Sequence, residues 1–401
     1  MNRHIEQLYR SAKKRSRLVI GLMSGTSLDG LDVALCRITG HGTDTQIELL
    51  AFSTVDYDEG YKQKIKSVFA KRQVDLQQVT LLNPWVGVLH GQMVNQCLAK
   101  WNMSPIDIDA IASHGQTIYH CPLRQHGQSE FGNATLQIGD ADHIAVTTGI
   151  LTIGDFRQKH IAAGGEGAPL AVYGDYLFFT SKQENRILLN MGGIANLTYL
   201  PCSADASAVF SSDIGPGNTI MDAYVQRHFT PLHYDKDSAI ACQGTVQPSL
   251  LDSLLQHAFF ALDFPKTTGP EVFNLDYLHA AQVRSSTQHL SHEDVLATLN
   301  LFSATTIANA INFAAAELGD FSVYASGGGI HNPLLMEHIL RLCPKVSNIQ
   351  NTGTLGIDPD AKEAVLFAIL ANECLVGGQQ PFGNIEQGIP DITMGKISFP
   401  D

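Results

Sequence analysis

The sequence is poor in the features that would assign it at once to a membrane, a nucleic acid or a disulfide scaffold. No uninterrupted apolar run in its 401 residues approaches the roughly 20 needed to span a bilayer. Lys and Arg number 26 against 39 Asp and Glu. That net charge of −13 argues against a general nucleic-acid binder, which needs clustered cations for phosphate contacts. It leaves room for a nucleotide, since backbone amides and a bound Mg²⁺ hold phosphates without a basic surface. The cysteines (Cys36, Cys97, Cys121, Cys202, Cys242, Cys343 and Cys374) contain no CxxC pair. An odd, unpatterned set reads as buried thiols in a reducing compartment. Residues 1–17 are basic but lack the apolar stretch and small-residue cleavage site of a secretory signal. They read as a short extension or frayed helix, and cytoplasmic residence is the expectation. Also absent are HExxH among the 16 histidines, a Ser–His–Asp elbow and the GxxxxGK[ST] of a P-loop. Gly215-Pro216-Gly217 begins like GxGxxG, but Ile220 stands where the third glycine belongs, so a Rossmann reading is poor.

What is present is the pattern of an α/β protein with enough chain for two domains. Hydrophobic residues make up 44% and charged residues 16%, a globular balance. Apolar runs bounded by Gly-rich breaks alternate with helical periodicity. Residues 18–23 read as a buried strand and 31–36 as its hairpin partner. Residues 187–190, Gly192-Gly193 and 194–200 repeat that strand, turn and return half a chain later, which suggests two related lobes. The strand expected at 108–112 runs into a polar loop, 113–117, and the one at 150–153 runs into Asp155. Helices are expected to begin near Thr219, near Asn332 with Pro333 in the first position, and over 361–375. The lobes are expected to meet near 154–166, giving 1–17 as extension, 18–155 and 156–375 as lobes, and 376–401 packing back on the first.

The Gly turns carry the candidate chemistry. Gly25-Thr26-Ser27-Leu28-Asp29-Gly30-Leu31-Asp32 offers bare backbone to an anion, hydroxyl donors, and in Asp29 and Asp32 carboxylates for Mg²⁺. Alone it reads as an ordinary hairpin with polar turn residues; several such turns together reverse that reading. Asp213-Ile214-Gly215-Pro216-Gly217-Asn218 sets an acid before a Gly loop that opens a helix, a phosphate site beside a metal-facing carboxylate or simply a helix start. Gly327-Gly328-Gly329, followed by Asn332, suits a flat purine ring, though close helix–strand packing uses the same residues. Asp155, at a strand end with Arg157 nearby, is placed to take a proton from a nucleophile, or simply to pair with Arg157 in a loop. Glu363 is a second acid in the first turn of its helix, where the macrodipole also favours one. His114, Gln116 and Thr117 offer both donors and acceptors for sugar hydroxyls, and Arg157 joins them as a substrate-contact candidate.

These segments together resemble one family, the anhydro-N-acetylmuramic acid kinases of the sugar kinase/Hsp70/actin superfamily. The matching stretches are GLMSGTSLDGLDVAL from Gly21, SHGQT from Ser113, GDFRQKHIAAGGEGAPL from Gly154, LLNMGGIANLTYL from Leu188, DIGPGNTIMDAY from Asp213, TTGPEVFN from Thr267, SGGGIHNPLL from Ser326 and DAKEAVLFAILAN from Asp360. They run in order over nearly the whole chain. MSGTSLDG together with GDFR is specific, whereas the Gly repeats alone would fit any superfamily member. Pro270 stands where the family is expected to carry Arg, so no Arg contact is carried over there.

The resemblance implies a two-lobed, duplicated ribonuclease H-like fold with the active site in the cleft between lobes. It implies ATP and Mg²⁺, an anhydro-amino-sugar substrate, and a homodimer. The family opens the 1,6-anhydro ring with water and phosphorylates O6, giving N-acetylmuramate 6-phosphate in cell-wall recycling. Asp155 would activate the water, residues 25–32 with Gly192 and Gly193 would surround the phosphates, and Gly327 to Gly329 would lie by the adenosine. Asp29 or Asp213 would help place Mg²⁺, and Glu363 would be a second acid near the sugar. Two other readings compete. An actin-like scaffold shares the Gly turns but has no use for SHGQT and GDFR; an ATP-independent hydrolase uses Asp155 and leaves the phosphate turns unexplained.

Overall fold

A computed structural model describes residues 2–168, 170–203, 206–316, 320–358, 360–377 and 390–401. Pro169 of the quoted motifs, and 378–389 of the C-terminal segment, lie outside the described residues. The chain forms two compact units, Met1–Phe179 with Gly356–Asp401, and Thr180–Leu355.

The first unit is built on β1 (Ser16–Ser24), β2 (Gly30–Thr39), β3 (Gln46–Asp56), β4 (Ala110–Cys121), β5 (Ala134–Ile138) and β6 (Thr152–Gly154). The second holds β7 (Asn185–Met191), β8 (Ile194–Leu200), β9 (Phe210–Pro216), β10 (Phe321–Ser326) and β11 (Ile349–Asn351), and the last strand, β12 (Lys396–Ser398), returns to the first sheet. The sheet orders are β12-β6-β4-β1-β2-β3, with β5 beside β4, and β11-β10-β7-β8-β9. In the first, β1–β2–β3 is an antiparallel meander, while β4 and β6 continue parallel to β1. In the second, β7–β8–β9 is the meander, with β10 and β11 parallel to β7. Both units thus run 3-2-1-4-5 with the same sense at each step, which is the duplicated ribonuclease H-like fold.

Local chemistry accounts for these elements. β1 is apolar on both faces, as a covered central strand must be, with Val19 and Ile20 at 0% exposure. One face is covered by the helix Lys362–Val376, whose residues Ala364 to Asn372 are all buried. At Gly21 the fit is backbone on backbone: a Cβ there would lie 1.8 Å from the Ala364 carbonyl oxygen. This packing puts the helix in the first unit rather than with 156–375. The segment after Asp155 also stays there, because Gln158 donates to the Thr135 carbonyl and Arg157 to that of Gly167. The division therefore falls at Phe179/Thr180 and Leu355/Gly356 instead of 155/156 and 375/376.

The basic extension is an ordered helix, Arg3–Lys13, capped by the Asn2 side chain. Asp109, 5% exposed, holds its far end by accepting from the Ser11 hydroxyl, Lys14 Nζ and the Leu18 amide. Arg3 and His4 grip the side chain of Asp401, and the His4 ring stacks on Phe399. Among the described residues no helix is long and apolar enough to cross a membrane.

Candidate active site

The segment 113–117 lies inside β4 and not in a loop beyond it. Two neighbours explain the longer strand: β5 pairs with its far half, and Gly115, at φ +73, makes a bulge against β1 between Leu22 and Ser24. The bulge turns His114 and Gln116 into the protein, where they are 4% and 0% exposed. Gln116 therefore meets the Gly25 turn, not solvent. Its Nε2 donates to the Gly25 carbonyl, and its Oε1 accepts from Ser24 Oγ at 2.6 Å and from Tyr61 O–H. Because Ser24 gives its one proton to Gln116, Tyr57 gives its own to Ser24 and receives one from His90 Nε2. Burial holds His90 neutral by lowering its pKa to about 3.

Within the turn, Leu28 and Leu31 point into the core at 2% and 0% exposure, with Leu28 at φ +61. Only their backbones face outward. Thr26, Ser27 and Asp29 are exposed. A Cβ on Gly30 would lie 2.7 Å from the Val55 carbonyl oxygen, so that glycine serves strand contact, whereas one on Gly25 would make only an ordinary contact, 3.5 Å from Ser27 Oγ. Thr117 accepts from Gln137 Nε2.

Asp155 stands at the end of β6 in the left-handed conformation, φ 58 and ψ 39, at the N-terminus of the helix Phe156–Ala162, and its side chain does not cap that helix. A non-glycine residue held there stores backbone strain of about 1–2 kcal/mol, which surrounding structure must impose. The carboxylate faces a pocket of about 440 Å³ in the first unit, lined also by Ser113, His114, Gln158 and Lys396. Lys396 Nζ pairs with Asp155 Oδ2. Arg157 Nε donates to His114 Nε2 at 2.9 Å. Burial first, and Arg157 second, drive the His114 pKa well below its ordinary value, so the ring is neutral and accepts that bond. Burial lowers Arg157 itself to about 10, with Glu363 opposing, so it keeps its charge. Glu363 has an exposed face, yet desolvation raises its carboxyl pKa against the pull of Lys362 and Arg157.

Carboxylates also gather beside the turn. Burial raises Asp32, Thr54 Oγ1 opposes by donating at 2.6 Å, and Asp360 and Asp29 raise it further. Among the described residues no three His, Cys, Asp or Glu converge to hold a metal unaided. Hard oxygens that repel one another still suit Mg²⁺, which takes one or two carboxylates and leaves the rest of its shell to phosphates and water.

In the second unit the Gly192-Gly193 turn and the loop after β9 are bonded to each other. The amides of Gly217, Asn218 and Thr219 donate to the carbonyls of Gly192 and Gly193. A Cβ on Gly217 would lie 2.3 Å from the Gly192 oxygen. These helix-start amides are thus engaged by backbone within the unit. Gly327 and Gly329 press on Met191, while Gly328 has nothing nearer than Asn218 Nδ2 at 3.8 Å. Of the three glycines, Gly328 is the one with a bare face. Gly215, at φ +147, lies against the Phe260 ring. Asn332 Oδ1 accepts from the Leu335 amide, Ser238 Oγ and Asn300 Nδ2, which caps the helix Pro333–Leu342. Asp213 Oδ2 accepts from the Thr268 amide. Asp29 and Asp213, both read as metal ligands from sequence, belong to different units.

Sequence reasoning missed Lys396, and with it the histidine–tyrosine–serine relay behind the turn. No spacing signalled either: Lys396 is 241 residues from Asp155, and Tyr57 and His90 lie in no motif.

A doubled ribonuclease H-like fold with Gly turns after matching strands is that of the sugar kinase/Hsp70/actin superfamily. The sequence model of one family, anhydro-N-acetylmuramic acid kinase, matches residues 17–386. Curated relatives of that name include one from Pseudoalteromonas atlantica, 89% identical, and one from Pseudoalteromonas translucida, 67% identical, each matched over the full length of both chains. A third, from Caldanaerobacter subterraneus subsp. tengcongensis, is 38% identical over 98% of this chain and 100% of its own. The chain belongs to the anhydro-N-acetylmuramic acid kinase family.

Proposed function

We propose that this chain uses ATP to phosphorylate O6 of anhydro-N-acetylmuramic acid while opening the 1,6-anhydro bridge with water, yielding N-acetylmuramate 6-phosphate. The observation that carries the reading is Asp155, a strained acid aimed into a pocket instead of capping its own helix. Asp155 takes a proton from water as the water oxygen bonds to C1 and the C1–O6 bond breaks. The electron pair left on O6 attacks the γ-phosphorus, and ADP departs. Ring opening thus creates the nucleophile where the phosphoryl donor waits, an advantage of proximity and orientation.

The chain's own groups have separate tasks. The 25–32 turn, pinned from behind by Gln116, offers Thr26, Ser27 and backbone amides to the phosphates. Asp29 and Asp32 would hold Mg²⁺, which when bound neutralises phosphate charge. Gly328 offers a bare face to the adenosine. Arg157 fixes the neutral His114 ring at the pocket wall, and Glu363 is a second acid near the sugar. Cytoplasmic residence and a homodimer, read by fractionation and light scattering, complete the proposal.

Incubation with Mg-ATP and the anhydrosugar, followed by mass spectrometry, tests it. The expected products are ADP and a sugar heavier by one water and one phosphoryl group. Ring-opened sugar without phosphate would favour the hydrolase reading, and no sugar turnover would favour the scaffold. Asp155→Asn is expected to abolish turnover while ATP still binds; full activity in that variant would remove Asp155 as the base.

A further inference from the structure

We propose that Lys396 recognises the carboxylate of the anhydrosugar acid, and that in doing so it releases Asp155 to act as base. The inference rests on the reaction proposed above and names its specificity-determining residue.

The pocket has an unfavourable charge for an acidic substrate. Asp140, Asp142 and Asp155 line it, and among its described lining residues Lys396 is the one cation. The other polar groups are largely committed. Asn83 Oδ1 accepts from the Gly139 amide, Asp140 Oδ1 accepts from the Asp142 amide, and His114 Nε2 accepts from Arg157. An incoming carboxylate therefore meets repulsion unless Lys396 compensates.

The strand places Lys396 for that task. In β12, Lys396 sits opposite Gly154 and Ile397 opposite Ile153. Side chains alternate along a strand, so Lys396 and Ser398 share one face, and both line the pocket. The backbone there is fixed. A Cβ on Gly395 would lie 2.5 Å from Ile153 Cγ2, and beyond the strand Phe399 stacks on His4 while Arg3 and His4 hold Asp401. The side chain is by contrast 65% exposed. A lysine with an anchored Cα and a solvated stem can reach two partners at little cost.

Without substrate its partner is Asp155 Oδ2, the oxygen that the proposed base needs. When a sugar carboxylate arrives, Nζ moves to it, and the Asp155 lone pair becomes free to accept the proton of water. No covalent bond changes in this exchange. A neutral anhydrosugar offers Nζ nothing and leaves it on Asp155. Discrimination then appears in kcat as well as in KM.

The test compares anhydro-N-acetylmuramic acid with 1,6-anhydro-N-acetylglucosamine, the same ring without the lactyl acid, at saturating Mg-ATP. Wild type is expected to prefer the acid in kcat/KM. Lys396→Met should lower that preference about tenfold, and at least threefold, and should raise kcat on the neutral sugar, because Asp155 is then free without a substrate carboxylate. Lys396→Arg should keep the preference to within threefold. A preference held within threefold in Lys396→Met, or parallel loss on both sugars, would overturn the inference and leave Lys396 a strut. Should Lys396→Met not fold, Lys396→Gln is read in its place. Wild type that phosphorylates neither sugar would remove the proposed function itself, and the inference with it.

Discussion

Gln116 separates two accounts of the site, and Gln116→Leu decides between them. From sequence it was expected to read sugar hydroxyls; in the fold it is fully buried and ties four groups together. Leucine keeps most of the volume and removes the polarity. The hydroxyls of Ser24 and Tyr61 lose their acceptor, and the carbonyls of Gly25 and Thr117 lose a donor, at a position of 0% exposure. A hydrogen bond is worth about 1 kcal/mol net, and a buried group left unpaired costs about 1–3 kcal/mol. The two hydroxyls can rotate toward other partners, so a total of about 2–4 kcal/mol is expected. In a unit of this size each kcal/mol moves the melting temperature by about 2–4 °C, which gives a drop of about 5–15 °C by circular dichroism. Because Gln116 holds the turn and not the sugar, KM for ATP should rise more than KM for the anhydrosugar. A melting temperature within about 1 °C of wild type, with only the sugar KM altered, would refute this and restore the sequence reading.

The relay behind the turn and the second unit give further tests. His90 has a folded pKa of about 3. Unfolded, it titrates near about 6.5, so below that pH the unfolded chain binds a proton that the folded one refuses. The stability it confers is complete above about pH 6.5 and is lost as pH falls toward about 3, at roughly 1.4 kcal/mol per pH unit. Between pH 7 and 5 wild type should therefore lose about 2 kcal/mol more than His90→Gln in urea titrations, and parallel losses would count against a neutral His90. Gly217→Ala drives a Cβ to 2.3 Å from the Gly192 oxygen, backbone that cannot yield cheaply, and about 1–3 kcal/mol of stability should go. Gly328→Ala meets nothing within 3.8 Å, so it should melt like wild type and yet bind ATP more weakly. Unchanged ATP affinity in that variant would remove Gly328 from the nucleotide site.

The fold was legible where period and glycine agreed. The hairpin of β1 and β2, its echo in β7 and β8, and the helix starts at Thr219 and Pro333 all carry local signals that the backbone obeys. The unit boundaries were not legible, because a boundary is set by long-range packing. Nothing within 361–375 announces that Ala364 will meet Gly21, more than three hundred residues earlier. The 113–117 segment misled for a related reason. Its polarity reads as a loop, yet the hydrogen bonds offered by β5 and the bulge at Gly115 keep it in the sheet.

The site shows the same limit in sharper form. A motif reports which residues occur together in the chain, and the fold decides which surface each presents. In the 25–32 turn, Leu28 and Leu31 anchor, Gly30 makes room for a strand, and only Thr26, Ser27 and Asp29 are fully presented. In the second unit, the amides of Gly217, Asn218 and Thr219 are taken up by the carbonyls of Gly192 and Gly193, so the two loops are joined through that side of each. Asp155 is the reverse case. Its sequence context allowed a plain loop ion pair with Arg157, but Arg157 turns to His114 and Gly167, and the cation at Asp155 comes from β12 at the other end of the chain. A base whose partner arrives from so far away can be governed by whatever draws that partner off. Substrate charge is the one such influence that the pocket's own acids would otherwise repel.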